Sequence, residues 1–378
     1  MRLISARWVI PVAAPPIAEG AVVVEDSQDS QDRHESATDG SRPSATTIVA
    51  VGTRVALRRD YPRAGETRAA GALCPGLVNA HAHLELSAFA GRVPGGDGVV
   101  NWTRRLASCL AEKDLDRVLS AALGTAIDAK AFGTAAIGDV GNGTSGWRAL
   151  GRAGLRGVFF HELVGSRETR TGDALGVAAS ERAHVPESDR PRGVDAVAAP
   201  HAPYSVGPDL MRRIFAAAAT AGRATSIHLA EDVDEIALLR DGGGAWPAIL
   251  RQMGVSPGER TPGLGPTAYL ERLGAFATPP PPLLVHMVHA DADDRLRARV
   301  AGATVVLCPR SNLHIHGRLP DVLALIAIGG AWVPGVEMSV DDPVESHRRR
   351  ARSGHRHHDR QQTGDGQADA PRGQRGGR

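Results

Sequence analysis

Eight short apolar runs rich in β-branched residues lie between Leu73 and Val340, and most are separated by segments of helical period long enough to carry the chain back for another parallel strand. The runs are Leu73 to Asn79, Thr134 to Val140, Arg156 to Leu163, Ala196 to Pro200, Ala224 to Leu229, Leu283 to Val288, Thr304 to Cys308 and Trp332 to Val340. Pro208 to Ala221 shows how the intervening segments read: Pro208 suits a first helical turn and Gly222 a stop. Residues 72–345 are therefore expected to form an α/β fold, a (β/α)8 TIM barrel. A doubly wound sheet would need fewer strands and a phosphate-binding glycine pattern after the first one, and His81 to Leu86 has none.

The segment before the barrel, residues 1–71, reads as short strands at Leu3 to Pro11, Ala21 to Glu25 and Thr47 to Val51, the N-terminal part of a small, incomplete β-sandwich. Residues 26–45, rich in Ser, Asp, Gln and Arg, are expected to be a disordered surface insertion. Residues 346–378 have no aliphatic side chain larger than Ala, so the tail cannot bury enough apolar surface to fold. Its Arg and His content departs from the pattern of the barrel and reads as an aberrant C-terminus.

Charge and cysteine content narrow the function. The chain of 378 residues carries a net charge of +2, but the last 32 residues hold nine Arg against three Asp, which leaves the rest at −4. A mildly acidic body gives no reason to expect nucleic acid as a partner. No apolar run approaches the roughly 18 residues of a membrane span. Arg2, Arg7 and Pro11 interrupt the N-terminal run, which makes a poor signal peptide. Cys74, Cys109 and Cys308 are too few and scattered for a disulfide framework, so a cytoplasmic location is expected. A homodimer is the assembly to test.

In a (β/α)8 barrel the reacting groups project from the C-terminal ends of the strands. The first run leads into His81 and His83, which share a face at a spacing of two residues. His201 follows the fourth run, His228 and Glu231 the fifth, and His286 and His289 the sixth. Asp341 and Asp342 close the eighth. His81, His83, His228 and Asp341 would make a three-nitrogen, one-oxygen set with room for water, the open arrangement of a catalytic metal ion. Glu231 is placed to take a proton from that water and pass it to a leaving group, with His286 orienting the hydroxide.

With these residues in place, the chain resembles the amidohydrolase superfamily, in its branch of hydrolytic deaminases and chlorohydrolases. The stretches that carry the resemblance are PGLVNAHAHLELS at 75–87, APHAPYSVGPDLMR at 199–212, SIHLAED at 226–232, LLVHMVHADADD at 283–294 and VVLCPRSNLHI at 305–315. HLELS and the Asp241 to Trp246 segment are most similar to aminodeoxyfutalosine deaminase-like proteins. The resemblance implies one divalent metal ion, Zn²⁺ or Fe²⁺, on His81, His83, His228 and Asp341. Glu231, His286 and Asp341 would be catalytic, and His201 and Trp102 would contact a small-molecule heterocyclic amine. The activity implied is deamination of an aminopurine nucleoside-like substrate by metal-bound hydroxide. A chlorohydrolase or cyclic amidohydrolase would use the same site, and an inactive remnant is the reading that the altered C-terminus suggests. Ala199-Pro200-His201 stands where binuclear relatives have a carboxylated lysine, which favours a single ion. Only Val336 and Asp341 of the eighth run align with the family pattern.

Overall fold

A computed structural model describes residues 1–26, 46–165, 174–252 and 263–335. Contacts divide the chain into two units, Met1–Leu77 and the residues from Val78 onward. In the first, β1 (Arg2–Val9), β2 (Ile17–Asp26), β3 (Thr46–Thr53), β4 (Gly65–Arg68) and β5 (Ala72–Leu73) make one sheet in the order β3-β2-β1-β4, with β5 also on β1. β2 runs antiparallel to β1 and β3, whereas β4 and β5 run parallel to β1. The three expected strands are present. What covers their apolar face is a helix, Arg54–Asp60, whose Leu57 packs with Leu3, Ala21 and Val23. Among the described residues this is one sheet with a helix on it, not two packed sheets. Thr53 starts that helix by accepting the Ala56 N–H, a capping role that its place at a strand end concealed. Of the insertion expected at 26–45 only Asp26 is described, at the end of β2; the tail at 346–378 lies outside the described residues.

The second unit carries the eight-run pattern. β6 (Leu77–Ala82), β7 (Thr134–Gly141), β8 (Arg156–Leu163) and β9 (Val194–Pro200) are neighbours in that order. β10 (Ser226–Leu229), β11 (Leu283–His286), β12 (Thr304–Leu307) and β13 (Ala331–Pro334) form a second series. The pairings from β7 to β9 and from β10 to β13 are parallel. Helices fill the intervals, among them Pro208–Thr220, with Pro208 in its first turn as expected.

Successive side chains of each strand serve two layers. On β8, Phe159 packs outward with Leu119, Ala122 and Leu150 of the covering helices, whereas Phe160 joins Val140 and Val197. Val285, Val306 and Cys308 of the second series meet Ala80 and Val333. The first expected strand is displaced. Pro75 has no N–H to give a ladder, and the run divides around it: Ala72–Leu73 joins the N-terminal sheet, and the barrel-type strand begins at Leu77. His81 therefore lies inside β6 and His83 just past its end. Of the eighth run, Val336 to Val340 lie outside the described residues. No helix among the described residues is long and apolar enough to cross a membrane.

Candidate metal centre

Four strand ends bring five histidines together. The His81 ring lies 4.9 Å from those of both His83 and His228 and 5.9 Å from that of His286, while the His201 ring is 4.9 Å from His228. His83 Nε2 and His228 Nε2 are 3.2 Å apart. His228 Nδ1 donates to the His201 carbonyl at 2.9 Å, which leaves its Nε2 as a lone pair facing His83. A ring hydrogen bond to the Val140 backbone occupies His83 in the same way. Two imidazole nitrogens on a tetrahedral Zn²⁺ at about 2.0–2.1 Å would stand about 3.3 Å apart.

His81 supplies the decisive observation. It is fully buried, and neither ring nitrogen has a hydrogen-bond partner among the described residues. Burying such a group unpaired costs about 1–3 kcal/mol. A metal ion answers that deficit directly, and the three lone pairs fit a divalent cation of borderline softness.

Burial keeps these rings neutral, as ligation requires. It lowers His81, His201 and His286 well below the usual histidine range, helped by repulsion among the rings. It also takes His83 to about 3 and His228 to about 4. Protonating any one of them would put a charge where water cannot reach it.

His286 differs from the other rings. Its Nδ1 lies 2.9 Å from Asn312 Nδ2 and its Nε2 lies 3.6 Å from Glu231 Oε1, and it also offers a ligand atom within 4.8 Å of those of His81 and His228. Protonated at Nε2 the ring can donate toward Glu231 but not ligate, and with the proton on Nδ1 it can ligate. His286 and its neighbour Met287 have left-handed backbones, at φ 76° and 52°, as does Ala230 beside Glu231 at φ 51°. Strain of this kind concentrates at functional sites.

Further polar groups hold this set, and sequence reading missed them. Glu162, near the end of β8, places Oε1 3.5 Å from His228 Nδ1 while Oε2 accepts from Asn142 at 3.0 Å. A carboxylate closing the apolar run Val158-Phe159-Phe160 was the available signal. Glu162, His201 and His228 also offer ligand atoms within 4.8 Å of one another. Since His228 Nδ1 already donates to a carbonyl, they serve better as an outer support for one ion than as a second site.

Asp139 on β7 accepts the Leu84 N–H at 2.9 Å and so fixes the turn that follows His83. Asp139→Ala strands that buried donor, at an expected loss of about 1–3 kcal/mol in denaturant unfolding and a fall of about 10- to 100-fold in metal affinity. Unchanged affinity would show that the turn holds itself.

The remaining expected residues fall as follows. His201 Nδ1 lies 2.5 Å from Ser205 Oγ. Trp102 is half-buried and packs against two apolar clusters, and it does not line the adjoining cavity. The His289 ring lies 6.0 Å from that of His316. Asp341 lies outside the described residues. The cavity, of about 710 Å³, opens from His83 past Leu86, Phe89, Asn142 and Val177 to Lys113.

Comparison with known proteins identifies the family. Residues 72–348 match the model of the Amidohydrolase family. The chain is 32% identical over 294 residues to aminodeoxyfutalosine deaminase of Deinococcus radiodurans, covering 75% of this chain and 68% of that protein. Among solved structures it is similar to Helicobacter pylori aminofutalosine deaminase in complex with methylthio-coformycin, with a TM-score of 0.72, 20% identity, and 89% and 77% of the two chains covered. It is also similar to an adenosine deaminase from Xanthomonas campestris with bound zinc, with a TM-score of 0.63, 20% identity, and 90% and 69% covered. At that identity the two structures speak for the fold. The match over most of the chain, together with the curated relative, establishes that the chain belongs to the amidohydrolase family, as a metal-dependent hydrolase of carbon–nitrogen bonds.

Proposed function

We propose that the eight strands close into one barrel whose mouth holds a single divalent cation, Zn²⁺ before Fe²⁺, and that the enzyme deaminates an aminopurine nucleoside-like substrate of the aminodeoxyfutalosine type. Two features support closure. The His201 carbonyl accepts the His228 N–H at 2.9 Å and the Ala198 carbonyl accepts from Thr225 Oγ1 at 2.7 Å, so hydrogen bonds cross from β9 to β10. At the other seam a Cβ on Gly335 would stand 3.1 Å from His81 Cβ and 2.6 Å from Val306 Cγ1, an approach that glycine alone permits.

His81, His83 and His228 hold the cation in this reading, and the sequence offers Asp341 as the fourth ligand. When bound, the cation supplies Lewis-acid activation of water. Glu231 takes one proton of the attacking water and passes it to the ring nitrogen, then takes the remaining hydroxyl proton from the substrate adduct and passes it to the departing amine, which leaves as ammonia. His286, protonated at Nε2, donates toward the reacting centre and keeps the Glu231 carboxylate aimed there. His201 contacts the ring, and the cavity walls of Leu86 and Phe89 keep bulk water from it.

The observation that carries this reading is the approach of Glu231 Oε1 to His286 Nε2, 3.6 Å, beside a nest of neutral imidazoles. The substrate class rests on the Deinococcus relative. Ammonia release from a panel of aminopurine nucleosides by the metal-loaded enzyme is the expected result. Turnover of chlorinated rings or cyclic amides without ammonia from the nucleosides would replace it with one of the alternatives, and no turnover at all would favour an inactive remnant.

A further inference from the structure

The structure assigns Glu235 as a positioning residue for Glu231: its buried carboxyl group holds the turn that aims the proton-transferring side chain, an inference that rests on the deaminase reading above. Glu235 is fully buried on the helix Val233–Asp241. Its Oε1 accepts the Ala230 N–H at 2.9 Å, and its Oε2 accepts the Glu231 N–H at 3.3 Å.

An acid in this place has an ordinary explanation, since Glu235 is the third residue of the helix and a glutamate there commonly reaches back to the capping residue. The contacts differ from that pattern. The cap is Asp232, which accepts the Asp234 N–H with its own side chain. Glu235 passes it and binds the two residues before it, which already lie outside the helix.

Those two residues are where the chain departs from regular backbone. Ala230 is left-handed at φ 51°, and its carbonyl accepts the His289 N–H at 2.8 Å, while the Leu229 carbonyl accepts the Met287 N–H at 3.0 Å. The turn carrying Glu231 is thereby tied to the turn carrying His286. A carboxyl group that fastens the first turn fixes the spacing of both partners in proton transfer. Burial raises the Glu235 pKa to about 8, with Asp232 and Asp294 pushing the same way, so near neutrality the group is largely uncharged.

The test compares Glu235→Ala, Glu235→Asp and Glu235→Gln with wild type in the metal-loaded full chain. Glu235→Ala and Glu235→Asp, too short to span the turn, are expected to lose on the order of 10- to 100-fold in kcat with KM and metal content near wild type. Glu235→Gln keeps one acceptor and an uncharged form, and is expected to recover most of the rate. Hydrogen–deuterium exchange over residues 229–232 is expected to quicken in Glu235→Ala and to return toward wild type in Glu235→Gln. Unchanged exchange in that segment overturns the inference, as does a rate loss in all three variants that follows metal loss or melting. Should wild type release no ammonia, the deaminase reading fails alone, because the exchange measurement still decides whether Glu235 holds the turn.

Discussion

Glu231→Gln is expected to lower kcat by about 10²- to 10⁴-fold, the usual yield of a positioned proton carrier, while the protein keeps its metal and its fold. The amide preserves the shape of the side chain but has no basic oxygen, so it can neither take the proton of the attacking water nor return it. Glu231 is buried and lies beside His286, not among the three lone pairs assigned to the cation. Metal analysis should therefore give the wild-type stoichiometry, and melting should shift little. KM should stay within a few-fold of wild type if the loss is confined to the chemical step. A variant that loses metal in proportion to rate would make Glu231 a ligand and remove it from proton transfer.

The metal-free protein is expected to lose several kcal/mol of stability as pH falls from 6.5 toward 3. The sign follows from the depressed histidines. The unfolded chain takes up protons near 6.5, whereas folded His228 waits until about 4 and folded His83 until about 3. Between those limits the unfolded state binds more protons, so stability is complete above pH 6.5 and drains away as acid is added. His228 alone accounts for about 3 kcal/mol at 1.36 kcal/mol per pKa unit. Glu235 acts in the opposite direction: raised to about 8, it contributes stability that is full below its ordinary pKa and is lost as pH climbs through 8. Burial raises Glu85, Asp139, Asp232 and Asp294 as it does Glu235, and lowers His161, His289 and His316 as it does the five clustered rings, so the histidines outnumber the opposing acids in the acidic window. Urea unfolding of chelated protein at stepped pH would measure the slope, and a flat profile between pH 4 and 6.5 would mean that the rings reach solvent.

Much of this was legible in the residues themselves. Six of the eight apolar runs became strands within a few residues of where β-branched composition placed them, and the eighth begins as a strand at Ala331–Pro334 before the described residues end, because a strand buried on both faces needs continuous apolar sequence. The exception, Leu73 to Asn79, divides for a local reason, the missing N–H of Pro75, which starts the strand at Leu77 and puts His81 inside it. The histidines at strand ends could be read because the chemistry of an open site demands them at those positions. Asp139, Asn312 and Glu235 could not. They act through one or two hydrogen bonds to a ring or a backbone N–H outside their own strand or helix, and no periodicity encodes such a bond. The helix Arg54–Asp60 was hidden in the same way, since its Leu57 gains meaning only against the sheet it covers.

The left-handed backbones at Ala230, His286 and Met287 have a bearing on engineering. Each sits in a conformation that glycine adopts freely and other residues adopt at a cost of about 1–3 kcal/mol. An effort to harden this enzyme against heat would find these positions attractive for glycine, or for redesign of the turns around them. The same changes would slacken the two turns that keep Glu231 and His286 facing each other. Durability and turnover thus compete at three adjoining backbone positions, and thermal robustness is better sought in the N-terminal sheet, where no reacting group depends on the chain's posture.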